Sequence, residues 1–327
     1  MSHEILVVVE HDRGEVTETS FQAFGLARTL LAAGVGTSIT AVIIGAEADS
    51  LAAGLGAHGA GLSVLVHHPE LTDYAPEAWG DVVAQLIDLR APVAVVATGT
   101  DRGNEVLAHA AAIADLPFAA NVTEVSLADG LDLTRVRWGG SLLEQSRLQA
   151  PVYVLSGSAH TFSGEPSGDA AATTEVCEPT LDASAARTRV VDRVTLAAGI
   201  TLTTAAVVVS GGRGVGSADG FAPLVELADL LGGAVGCSRV VTNNGWRPHS
   251  DQVGQTGKRI APELYIACGI SGAIQHWVGM MASKHVLAIN TDNEANMVGK
   301  AEYAVIGDLH KILPAVSDEI RRRRANA

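Results

Sequence analysis

Aromatic residues make up only 4% of this 327-residue chain, too few to build the stacking platform that holds single-stranded nucleic acid. Acidic residues outnumber Lys and Arg by 36 to 22, giving a formal charge of −14. Phosphate backbones need a basic surface, so a nucleic-acid partner is disfavoured. Cysteine is scarce: Cys177, Cys237 and Cys268 are widely spaced and form no CxxC pair, which indicates neither a disulfide framework nor a zinc or iron–sulfur site. Although 47% of residues are hydrophobic, no run approaches the roughly 18 apolar residues of a membrane-spanning helix, and the protein is not expected to be membrane-embedded. The opening MSHEILVVVEHDRG lacks a cationic n-region and reaches Glu10 after a short apolar run. Neither a signal nor a transit peptide is expected, and the expected location is cytoplasmic. No histidines have metal-ligand spacing, since the adjacent His67 and His68 would point to opposite faces of a strand. No metal is expected.

What is present is enough chain for two domains, each able to bury its own core. In the first half, short β-branched runs at 5–9, 38–44, 62–66 and 93–97 alternate with helical segments at 19–33, 50–56, 76–89 and 104–115. Continuous apolar strands separated by helices indicate a parallel sheet covered on both faces. Runs at 121–127 and 131–138, separated by Ala128-Asp129-Gly130, predict a hairpin or paired edge strands. A run at 151–155 predicts the last strand of that domain. From about 157 to 204 the chain is rich in Ser, Gly, Ala, Thr and Pro, as a linker would be. A second α/β unit follows, with strands at 205–210, 264–268, 285–289 and 303–306 and a helix at 220–231. The expected fold is α/β: an N-terminal three-layer parallel-sheet domain over 1–190, including the start of the linker, and a Rossmann-like domain over 205–321. The terminal IRRRRANA reads as a solvated helix end whose arginines complement the helix dipole.

Three loops in the second unit carry chemistry. VVVSGGRGVGS (207–217) runs from a strand into a glycine-rich turn, where backbone amides and a helix N-terminus suit an anion. It is neither G-x-G-x-x-G nor a P-loop, and taken alone a tight strand-to-helix turn accounts for it equally well. Arg213 strengthens the ligand reading, because a guanidinium suits a phosphate or a flavin edge. DQVGQTGK (251–258) offers amides, a carboxamide and a hydroxyl. PELYIACGISGAIQH (262–276) places Gly-Ile-Ser-Gly between an apolar strand and a segment carrying Gln275 and His276. Three such loops in one domain fit a nucleotide cofactor held where strand ends meet helix starts.

At these residues the chain resembles the alpha subunit of electron transfer flavoproteins. SGGRGVGS, QVGQTGK and PELYI-CGISGAIQH, followed by AIN at 288–290 and GDL at 307–309, are similar to that family in content and spacing. ILVVVEHDRGEV, GLGAHGA at 54–60 and ATGTDRGNEVLAHAAAIADLPFAANVTEV at 97–125 are similar more loosely. The resemblance implies FAD in the second domain. It places Arg213 close to the cofactor and Ser238 and Arg239 on the isoalloxazine. Val253, Gly254, Gln255 and Thr256 form a loop whose threonine hydroxyl faces flavin N5. Ser271, Gly272, Ala273, Ile274, Gln275 and His276 hold the diphosphate and bring the histidine to the flavin carbonyl edge. Asn290, Asp308 and Leu309 lie on the adenosine side.

The resemblance also implies a heterodimer with a beta subunit carrying AMP, for which the first domain is mainly a docking scaffold. It implies donor dehydrogenases of the acyl-CoA type, a quinone oxidoreductase as acceptor, and a place in fatty acid beta-oxidation. The protein would then be an electron carrier rather than an enzyme with its own turnover, and no catalytic residue is assigned. Reduction puts negative charge at the flavin N1/C2=O edge, which Arg239 and a protonated or donating His276 would stabilise. The chain departs from the family pattern at Glu294-Ala295-Asn296, at Glu302 and over NNGWRPHSD at 243–251. Other readings are an electron-bifurcating relative with a second FAD on the beta subunit, an NAD-dependent oxidoreductase, or a non-redox nucleotide sensor. The NAD reading would need a catalytic acid or base beside the nicotinamide, and no convincing one is found.

Overall fold

Short aliphatic runs that are hydrophobic on both sides can satisfy themselves only in the middle of a sheet with helices above and below. The computed structural model describes residues 3–12, 14–181, 185–191 and 200–325. Its contacts divide the chain into two units: Met1–Arg137 with Leu142–Val194, and Trp138–Ser141 with Thr195–Ala327.

The first unit runs β1 (Glu4–Val8), a two-residue hairpin β2 (His11–Asp12) and β3 (Glu15–Val16), α1 (Phe21–Ala32), β4 (Ser38–Ile44), β5 (Ala60–Val66), α2 (Pro76–Arg90), β6 (Ala94–Thr98) and α3 (Asp101–Ile113). It continues with β7 (Phe118–Ala128), β8 (Gly130–Arg137), β9 (Leu142–Leu148), β10 (Tyr153–Gly157) and β11 (Thr173–Cys177). One nine-stranded sheet has the order β11-β5-β4-β1-β6-β10-β7-β8-β9, parallel through β7 and antiparallel across β7-β8-β9. Alternation along β1 sorts its side chains. Ile5 and Val7 enter one core with Phe24, Leu26 and Leu30 of α1, while Leu6 and Val8 enter the other with Val82, Leu86, Val106 and Leu107 of α2 and α3. Each such burial contributes about 1.5–3 kcal/mol, and the result is the expected three-layer arrangement.

Three strands differ from expectation. β10 is not the last strand but lies between β6 and β7. β9 was not anticipated, because LLEQSRL alternates at a sheet edge and leaves much of its surface exposed. β11 arises inside the Ser/Gly-rich stretch and pairs in parallel with β5 from Thr173↔Leu62 to Cys177↔Val66. A mostly exposed edge strand needs no apolar run to announce it. Residues 182–184 and 192–199 of the expected linker lie outside the described residues.

The second unit contains β12 (Val207–Gly211), α4 (Ala222–Leu231), β13 (Ala234–Cys237), α5 (Arg239–Asn243), β14 (Leu264–Cys268), α6 (Ile274–Trp277), β15 (His285–Asn290), α7 (Asn296–Lys300), β16 (Tyr303–Ile306) and α8 (Leu309–Ala325). Its five-stranded sheet is wholly parallel, in the order β13-β12-β14-β15-β16. One face packs Val209, Ile266 and Ile289 against Leu224 and Leu227 of α4 and Leu313 of α8; the other packs Val208, Tyr265 and Ala288 with Met280 and Met297. β13, only four residues with a central glycine, carried no strand signal. The chain leaves β12 toward β13 on one side and β14 toward β15 on the other. Where connections diverge in this way, the carboxyl ends of the strands open a crevice.

Candidate functional site

At that crevice lies a cleft of about 550 Å³, within the size range of small-molecule sites. Its wall is made by the turns that follow β12, β13, β14 and β15 and by the 252–256 loop. Of the residues expected from sequence, Arg213, Ser238, Arg239, Val253, Gly254, Gln255, Thr256, Ser271, Ala273, Gln275, His276 and Asn290 all line it. These residues are scattered over 78 positions of sequence, from 213 to 290, and only the parallel sheet gathers them.

The loops are pinned to one another through backbone. Gln255 N donates to the Gln275 carbonyl at 2.7 Å, Val253 N to the Cys237 carbonyl at 2.9 Å, and Gly214 N to the Gly269 carbonyl at 3.0 Å. The Asn290 carboxamide donates to the Ile270 carbonyl at 3.1 Å, joining the turns after β15 and β14. Among the described residues, the amides of Ser271 to Gln275 donate to no protein acceptor, so this turn can meet an anion with several N–H groups. Gly272 makes the turn possible: it has φ +79°, and a Cβ there would collide with Met297 N.

Arg213 and Arg239 are exposed on the wall and form no ion pair among the described residues. Asp292 is the acidic residue on the same wall. Thr256 is set by a residue that the sequence reading did not single out. The buried Gln252 carboxamide donates from Nε2 to Thr256 Oγ1 at 2.8 Å, and its Oε1 accepts from Thr242 Oγ1 at 2.7 Å. With Thr256 Oγ1 already accepting, its own proton is free to donate. The signal for Gln252 was its place directly before Val253; nothing in the sequence said that its side chain turns inward. Gly214, Val240, Gly269, Ile270, Asp292 and Ala295 also line the cleft and were likewise not assigned.

His276 is 7% exposed. Burial, partly offset by the Val253 backbone, pushes its pKa down to about 4. The expectation of a protonated or donating histidine therefore narrows to a neutral ring that donates from one nitrogen. Its Nε2 lies 2.8 Å from the Tyr265 hydroxyl, while Nδ1 is buried without a partner of ordinary hydrogen-bond geometry.

Four expected residues are not brought to the cleft wall. Gly272 is buried behind its turn, and Ile274 opens α6 with its side chain largely toward solvent. Asp308 caps α8, its side chain accepting from His310 N at 2.9 Å and its carbonyl from Lys311 and Ile312. Leu309 is a core residue of the α4/α8 face. Sequence proximity to the cofactor motif could not separate a helix cap from a cleft contact. Among the described residues, no group of His, Cys, Asp and Glu could hold a metal, and no helix is long and apolar enough to cross a membrane.

The cleft suits a flavin dinucleotide on three counts: volume, a turn of unspent amides, and two unpaired guanidinium groups. Comparison with known proteins bears on the same reading. Residues 201–281 match the electron transfer flavoprotein FAD-binding domain, and residues 5–185 match the electron transfer flavoprotein domain. An electron transfer flavoprotein subunit alpha of Mycobacterium leprae is 36% identical, over 98% of this chain and 99% of the relative. Those of Megasphaera elsdenii and Bacillus subtilis are 33% and 32% identical, over 99% and 98% of this chain and 98% of each relative. The chain thus belongs to the electron transfer flavoprotein alpha-subunit family, with an FAD-binding domain in its second unit.

Proposed function

We propose that this chain, paired with a beta subunit that carries AMP, holds FAD in the cleft of the second unit. It would pass electrons from dehydrogenases of the acyl-CoA type to a quinone-linked acceptor, in fatty acid beta-oxidation. The observation that carries this reading is the convergence of twelve expected residues on one cleft at the carboxyl ends of parallel strands. FAD, when bound, supplies the capacity to take up and release electrons.

The chain's own residues bind and tune it. The amides of Ser271, Ala273 and Gln275 would receive the diphosphate, and the Thr256 hydroxyl, held by Gln252, would donate to the flavin ring. Arg213 and Arg239 place positive charge beside the edge that gains negative charge on reduction. Neutral His276 sets an uncharged ring in the same wall, and Asn290 holds the turns after β14 and β15 together. Asp308 and Leu309 would act from beneath, by fixing the start of α8.

An absorption spectrum of the purified complex with its beta subunit tests the proposal. Flavin bands at one FAD per copy of this chain are expected, with bleaching on addition of a reduced acyl-CoA dehydrogenase. A colourless complex would overturn the cofactor assignment, and a yellow complex inert to that donor would overturn the donor assignment.

A further inference from the structure

Tyr265 is the largest of the fully buried side chains, yet it carries a hydroxyl into the middle of the second unit. It stands on β14 opposite Val208 of β12, with Ser210 two residues further along the same face of β12. Burial pushes the phenol well above its ordinary pKa, so it keeps one proton to give. One acceptor is at hand at hydrogen-bond distance, His276 Nε2 at 2.8 Å; Ser210 Oγ lies near the phenol on the donor side and has no partner of ordinary hydrogen-bond geometry. A neutral imidazole has one N–H and one bare nitrogen. The ring's other polar neighbour is the Val253 backbone, which favours a proton on the imidazole, and the buried, unpartnered Nδ1 is the nitrogen left to carry it.

We infer that Tyr265 is a positioning residue: its phenol donates to His276 Nε2 and so fixes the neutral Nδ1–H tautomer, leaving Nδ1–H as the one donor that the histidine has to give. The inference rests on the FAD reading of the cleft for its consequence, since the ring that Tyr265 fixes forms part of the cleft lining. The hydrogen bond from Tyr265 also holds the ring against turning over, which would put a carbon where Nε2 now meets the phenol.

The test uses the full chain with its beta subunit, labelled with ¹⁵N-histidine, and reads the two imidazole nitrogens of His276 by NMR. The expected pattern is a protonated, pyrrole-like Nδ1 and a bare, pyridine-like Nε2, and Ser210→Ala is expected to leave it unchanged. Tyr265→Phe keeps the ring but removes the donor, so the Nε2–H form that free histidine prefers is no longer opposed. A mixture of tautomers should then appear, together with a shifted flavin midpoint potential at unchanged FAD content. An Nε2–H signal in the wild type overturns the inference, as does a tautomer that responds to Ser210→Ala but not to Tyr265→Phe. If Tyr265→Phe does not fold, the wild-type and Ser210→Ala spectra still decide. A complex with the Nδ1–H pattern but no flavin bands would sink the FAD reading and leave the Tyr265 assignment standing.

Discussion

Arg239 is an exposed cation at the start of α5, free of ion pairs among the described residues. A guanidinium so placed is available to a ligand without first giving up a partner. Two unit charges about 4 Å apart interact by roughly 1 kcal/mol in water and roughly 4 at the effective dielectric of a protein surface. Arg239→Ala is therefore expected to lower the first flavin reduction potential by tens of millivolts, on the order of what 1 kcal/mol represents for one electron. Spectroelectrochemical titration of the variant, with FAD content measured alongside, checks this; an unchanged potential would make Arg239 structural. His276 gives a different kind of prediction. Its folded pKa of about 4 lies below the ordinary 6.5, so on acidification the unfolded chain binds a proton before the folded one does. The contribution of this residue to stability is intact above about 6.5 and falls as pH drops toward about 4, with about 2 kcal/mol lost by pH 5. Urea unfolding of wild type and His276→Asn at pH 7 and pH 5 isolates it, since only the wild type should show the extra loss. Equal losses would mean that the histidine is already charged in the fold. These two residues also mark how far sequence reaches. Arg239 was reached only through the family resemblance, and the fold sets it on the cleft wall beside the loops that carry that resemblance. The neutrality of His276 was not legible, because it is set by burial, which only the fold creates.

At the scale of elements, the cleft depends on two loops meeting closely. Gly254 has φ +136°, and a Cβ there would lie 2.7 Å from the Gln275 carbonyl oxygen, the same atom that accepts from Gln255 N. Gly254→Ala thus has to part the 252–256 loop from the 271–276 turn, at a cost on the order of 1–3 kcal/mol. Retention of FAD should weaken roughly tenfold with far-ultraviolet circular dichroism unchanged. Full flavin content in the variant would show that the two loops can separate without harm. The elements that sequence predicted best were those whose side chains are buried on both faces. Ser38–Ile44, Leu264–Cys268 and Tyr303–Ile306 matched the expected bounds, although Tyr303–Ile306 is exposed and was marked by its β-branched run alone. The elements it missed bury little. β9 and β11 are sheet-edge strands, and β13 has Gly236 where a packing side chain would be. Asp308 and Leu309 came from the resemblance alone, and here they cap α8 and anchor it in the core.

At the scale of the whole molecule, the family implies a beta-subunit partner, and the first unit has a feature that fits one. β9 closes one side of the nine-stranded sheet, its outer backbone edge unpaired among the described residues, and Leu142 and Leu143 on it are 54% and 70% exposed. Lone chains guard such edges with charge or cover them; here Glu144 is already engaged by Arg135 within the sheet, and the two leucines lie bare. Being adjacent on a strand, they leave apolar surface on both faces of this edge, which suits cover by another protein. Co-production with the beta subunit is expected to give a 1:1 complex by native mass spectrometry, with one FAD on this chain. Produced alone, the chain should be flavin-poor and prone to associate. Leu143→Glu should raise the fraction of unpaired chains at a given concentration while the isolated second unit's residues, and hence the flavin spectrum of whatever complex remains, stay as in the wild type. A lone chain that is monomeric and fully loaded with flavin would remove the need for a partner altogether. If instead Leu143→Glu leaves the complex intact, the beta subunit binds elsewhere on the first unit and the bare edge of β9 needs another explanation.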